Sequence, residues 1–101
     1  MLPALLAVAA GMSPGERDYR LTVRATPASS VALRARMPAG WIAAFCTASV
    51  CAAGHVVVRV PERGASVIAL HVYRVRDDAV RRGVIVIDDG TGRPATLTVS
   101  F

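Results

Sequence analysis

The sequence predicts an all-β fold organised as a two-layer β-sandwich. Apolar and polar residues alternate with a period of two through several short runs, the mark of strands buried on one face. Turn residues punctuate those runs at spacings of about 8–12 residues, as in sandwiches. No stretch carries a convincing amphipathic-helix pattern. The two helical candidates, an Ala-rich run at residues 43–53 and a polar run at 77–82, are respectively diluted by Val, Thr, Ser and Cys and too short.

The chain has 101 residues, 53% apolar and 19% charged, enough for one domain and too little for a multidomain enzyme. The apolar fraction argues against a disordered chain. Aromatic residues make up 5%, so the core is built from Val, Ala, Leu and Ile and is shallow. A domain of this size has little stability to spare.

The elements follow in order. Residues 18–25 alternate, with Leu21, Val23 and Ala25 on one side and Arg20, Thr22 and Arg24 on the other. Thr26, Pro27, Ala28, Ser29 and Ser30 break the run. Residues 31–37 alternate again: Val31, Leu33, Ala35 and Met37 against Arg34 and Arg36. After Pro38-Ala39-Gly40, residues 41–46 form a short apolar strand, and 47–54 read as a loop. Residues 55–60 are Val-rich, with Arg59 as their one charge, and Pro61-Glu62-Arg63-Gly64 turns the chain. The longest run, 65–76, changes phase, which a bulge near Val72 would reconcile. Residues 84–87 are apolar on both sides, as in a central strand covered on both faces or a strand at a sandwich core. Asp88-Asp89-Gly90-Thr91-Gly92 is a hairpin turn, and residues 95–101 close the domain with Leu97, Val99 and Phe101 inward. Seven such strands indicate a sandwich of immunoglobulin-like type.

Two short motifs point the same way. Pro38, Gly40 and Trp41 open one strand, and Ala79 with Gly83 leads into another. In this the chain, from residue 18 to 101, resembles the immunoglobulin-like and fibronectin-type-III-like domains of exported bacterial proteins, including those appended to glycosidases. They commonly carry a P-x-G-W approach to one strand and an A-x-x-x-G approach to a later one. The resemblance implies a packing, spacing or binding role. It brings no catalytic residue and no cofactor across, and Cys46 and Cys51 depart from it.

The N-terminus reads as an address. Residues 2–10 are apolar, too few to span a bilayer, and Val8-Ala9-Ala10 offers a small-residue cleavage site. No Lys or Arg precedes them, so the alternative is an apolar first strand. The expected division is a signal peptide or apolar leader at 1–15 and the sandwich domain at 16–101, with a periplasmic or secreted location. In such a compartment Cys46 and Cys51 form a disulfide. The weaker alternative is a copper(I) or zinc site, or a redox pair, built from Cys46, Cys51 and His55 with His71 or Met37 as a fourth ligand.

The net charge is +5 and every basic residue is Arg. Ala, Val, Arg, Gly and Pro share GC-rich codons, so part of the Arg excess is compositional. Were the first two strands neighbours, Arg20, Arg24, Arg34 and Arg36 would share a sheet face suited to phosphate or carboxylate. No aromatics interleave them, so an anionic envelope polymer or lipid headgroup fits better than nucleic acid. Catalysis has no support. The serines sit in no nucleophile motif, the paired aspartates lie at turns, and the Asp88 loop lacks the alternating acids of a calcium loop. His71 reads as a half-buried, hydrogen-bonded histidine and Trp41 as a packing residue. The expectation is a non-enzymatic exported structural or interaction domain that binds a protein or envelope partner. The alternatives are anion binding through the Arg face and metal or redox handling through the cysteines.

Overall fold

A computed structural model of the chain describes residues 4–13 through their backbone, and residues 15–24, 29–61, 65–90 and 92–101. Outside them lie the first three residues, Pro14, Ala25 of the expected 18–25 strand, the expected turn residues Thr26 to Ala28 and Glu62 to Gly64, and Thr91 of the Asp-Gly turn. Among the described residues the chain forms β1 (Ala4–Ser13), β2 (Glu16–Arg24), β3 (Ser29–Arg36), β4 (Trp41–Cys46), β5 (Cys51–Ala53), β6 (His55–Val60), β7 (Ser66–Arg74), β8 (Arg82–Asp88) and β9 (Ala95–Ser100). They make two antiparallel sheets, ordered β1-β2-β7-β4-β5 and β6-β3-β8-β9. No helix long and apolar enough to cross a membrane occurs among the described residues.

Alternation places the core between the sheets. Leu21, Val23, Phe45, Ile68, Leu70 and Val72 come from the five-stranded sheet. They meet Val31, Leu33, Val56, Val58, Val60, Ile85, Ile87 and Val99 from the other. No polar or charged residue is buried among the described residues, so no desolvated charge works against the apolar gain.

The expected seven strands become nine. The seven periodic runs all form strands, and two elements join them. Residues Ala4–Ser13, expected as an exported leader, run along β2 as an edge strand, the second arrangement their apolar run allows. Cys51–Ala53, expected as loop, folds back on β4 as β5. The bulge expected near Val72 is absent, since β7 keeps a continuous register with both β2 and β4. The phase change arises because the strand ends at Arg74, and Val75 turns its amide to the Gly40 carbonyl at 2.8 Å. β8 is covered on one face only: Ile85 and Ile87 point inward, while Val84 is 48% exposed.

One end of the sandwich is closed by Trp41, 5% exposed. Its indole Nε1 donates to the Val80 carbonyl at 2.8 Å, and its ring meets Phe101 edge-on at 4.9 Å. The two short motifs of the sequence converge here. A Cβ on Gly83 would lie 2.6 Å from Pro38 and 3.3 Å from the Trp41 ring. A Cβ on Gly40, whose φ is +84°, would lie 2.6 Å from the Ala79 Cβ. Small residues are therefore required where strand entrance and loop touch.

This corner yields a paired expectation. Gly40→Ala adds a left-handed backbone cost to a side-chain collision and loses about 3 kcal/mol. Gly54→Ala has a similar φ of +81° but nothing within 4 Å of the new carbon, and loses about 1 kcal/mol. Urea unfolding of both variants, compared at equal m-value, checks the difference.

Candidate functional site

β6 pairs with β3 on one side and, among the described residues, with no strand on the other. Two hydrogen bonds show which backbone groups face out. The Gly54 carbonyl accepts from the Ala35 amide at 2.8 Å, so it points toward β3. The Arg59 carbonyl accepts from the Ser66 hydroxyl, so it points away from β3, toward β7. Peptide groups alternate along a strand, and Val56, Val58 and Val60 therefore bond to β3. His55, Val57 and Arg59 direct their amides to the open edge, with the Arg59 carbonyl already covered by Ser66.

The side chains beside that edge are mostly apolar. Val57 is 62% and Val67 59% exposed. Together with Thr47, Ala48, Val58 and Ile68 they border an open groove of about 350 Å³ between β6 and β7. No proline interrupts β6, and Arg59 is its one charged residue, so the usual protections of an edge strand are thin.

The four arginines expected on one face are divided. β2 and β3 belong to different sheets, so Arg20 and Arg24 stand on the outside of one layer and Arg34 and Arg36 on the outside of the other. The physical reason is the crossing of the chain between layers after β2, which puts consecutive strands on opposite sides of the core. Arg34 and Arg36 instead meet His55 and Asp88 around a shallow depression of about 410 Å³. Arg34 lies in register with both His55 and Asp88. Neither arginine forms an ion pair among the described residues.

Cys46 and Cys51 face each other across the β4–β5 hairpin and form a disulfide. The turn between them is tied by the Thr47 amide to the Val50 carbonyl at 2.7 Å, and the Thr47 hydroxyl accepts from the Val50 amide. With both sulfurs bonded to each other, and His55 on the opposite sheet, the Cys46, Cys51 and His55 ligand set is not assembled. Trp41 sits in the core corner and offers no open ring face. Gly90 donates its amide to Asp88 Oδ1 at 2.8 Å, a local turn bond of the kind that makes aspartate common there.

One group of side chains escaped the reading of the sequence. His71 is half-buried, as expected, but its partner is Asp18, 2.6 Å from Nδ1. Glu16 stands beside Asp18 and is raised above the ordinary carboxylate range, first by its hydrogen bond to Asp18 and then by burial. Tyr73 is also raised, by burial first and then by the Glu16 and Asp18 charges. The one available signal was the Glu-x-Asp alternation at the start of β2. Its pairing with a histidine 53 residues away depends on strand register.

Comparison with protein-family models, with curated proteins and with solved structures finds no match for this chain.

The disulfide closes a small loop, and Cys46→Ala with Cys51→Ala is expected to cost about 2 kcal/mol by chain entropy. The strand signal in far-ultraviolet circular dichroism should persist, because the core lies between the sheets and not at this hairpin.

Proposed function

We propose that this chain is a non-enzymatic interaction domain of an exported protein, and that it binds an extended strand of another protein along β6. The observation that supports this reading most is the open edge itself: outward amides at His55, Val57 and Arg59 beside an apolar groove. Strand addition takes affinity from main-chain hydrogen bonds and specificity from alternate side chains. Residues of the added strand facing the groove would be apolar. Those on the outer face would be acidic, because Arg59, Arg34 and Arg36 stand there and the chain carries +5 overall. That charge also disfavours a second copy of this chain as the added strand. The disulfide is compatible with an oxidising compartment.

An immunoglobulin-like assignment gains support from the strand order. With β1 as the first strand, β1-β2-β7-β4 and β6-β3-β8-β9 parallel the A-B-E-D and C′-C-F-G layers of such domains. The departure is that β4 precedes β6 in the chain.

A ten-residue peptide alternating Val and Glu serves as probe, with a Val and Lys peptide as its counterpart. The acidic peptide should slow hydrogen exchange at Val57 and bind at least about tenfold more tightly than the basic one at low salt. Val57→Pro removes an outward amide without breaking the β3 ladder, and should abolish binding while leaving the fold intact. Equal binding of both peptides, or unchanged binding by Val57→Pro, overturns the reading.

A second reading is anion binding at Arg34 and Arg36, favoured by the depression they share with His55. Here the chain would be retained on an anionic polymer in a salt-sensitive way. Arg34→Ala with Arg36→Ala should lose that retention, while Arg20→Ala with Arg24→Ala keeps most of it, since those residues occupy the other layer.

A further inference from the structure

The Glu16, Asp18 and His71 cluster lies on the outside of the five-stranded sheet, in the layer opposite β6, and the strand-edge reading does not use it. β2 presents Glu16 and Asp18 on one face, and β7 sets Tyr73 and His71 directly opposite them. One ligand atom from each of Glu16, Asp18 and His71 lies within 4.8 Å of the others. The side chains of His71 and Asp18 are 29% and 26% exposed, sheltered yet open to solvent. The neighbours in the same cross-strand row are small. Gly11 of β1 stands in register with Asp18, and Ala44 of β4 with His71.

Charge sharpens the point. Two of only seven acidic residues in a strongly basic chain stand side by side here. A divalent cation would neutralise both. The donor set, two carboxylate oxygens and one imidazole nitrogen, suits borderline first-row ions and is too nitrogen-poor for copper and too soft for calcium. We propose that Glu16, Asp18 and His71 form a binding site for a first-row divalent cation, with zinc the best fit and at least one position open to water.

Zinc bonds of about 2.0–2.2 Å in tetrahedral geometry separate ligand atoms by about 3.3 Å. An ion held by both would separate His71 Nδ1 and Asp18 Oδ1 beyond their present 2.6 Å. Tyr73 of β7 stands opposite Glu16 in the strand register, beside the cluster. Arg20, the next outward residue of β2, adds a like charge that limits affinity.

The test uses the full chain without an affinity tag, and zinc itself as the probe. Calorimetry should find one saturable site, and the ring-nitrogen resonances of His71 should shift while those of His55 stay in place. His71→Gln and Asp18→Asn should each weaken binding by at least about 100-fold, more than the 10–100-fold lost with an outer-shell partner. His55→Gln should leave it unchanged. The ring-nitrogen measurement on the unmodified chain decides the matter even if a variant misfolds. Shifts at His55 alone, no saturable binding up to millimolar zinc, or full affinity in a folded His71→Gln variant would each overturn the proposal.

Discussion

The Trp41 corner is the contact on which the sandwich depends. A single large ring seals one end of a core otherwise made of short aliphatic side chains. It does so with its one polar atom satisfied by the Val80 carbonyl, so burial leaves no orphaned donor. The ring fits because Gly83 has no side chain beneath it and Gly40 turns the chain against Ala79. Phe101 meets its edge, and the Arg17 guanidinium lies 5.2 Å from the Phe101 ring centre. The Val80 carbonyl, Gly83 and Phe101 thus converge on one indole, with Arg17 beyond Phe101.

Once that corner is set, the two layers hold their alternation in register and the outward faces follow. The five-stranded layer carries the acidic and imidazole cluster, and the four-stranded layer carries Arg34, Arg36 and Arg59. The division is a consequence of pleating and pairing. A slip of one residue between β2 and β7 would turn Asp18 inward among Leu70 and Val72, where an unpaired carboxylate would be costly. Core packing therefore fixes the outer constellations although they contribute nothing to the core.

The edges differ in the same way. The Arg17 side chain donates to the Ser100 carbonyl at 2.9 Å and so caps the end of β9. Among the described residues, β6 has the Ser66 hydroxyl at its Arg59 carbonyl, and Val57 stands beside the Val67 groove. An edge strand with exposed valine and little charge is a pairing surface by its physics. The proposed strand-edge function and the exposure of Val57 and Val67 are two descriptions of that one surface.

Local patterning was enough to place seven of the strands, and alternation gave the inward residues of β2, β3 and β9. Each of those features depends on neighbours in the chain, and a period of two is visible without knowing the partner strand. The Cys46–Cys51 bridge was read from the expected oxidising compartment, in which two cysteines normally pair. Sheet membership was not legible. Whether β3 returns beside β2 or crosses to the other layer is decided by which apolar faces cover each other across the core, so the shared Arg face dissolved and the Arg34, Arg36 and His55 grouping took its place. The Glu16, Asp18 and His71 cluster and the open edge of β6 likewise exist only through pairing. They are made by registers between residues far apart in the chain, which no local pattern of side chains records.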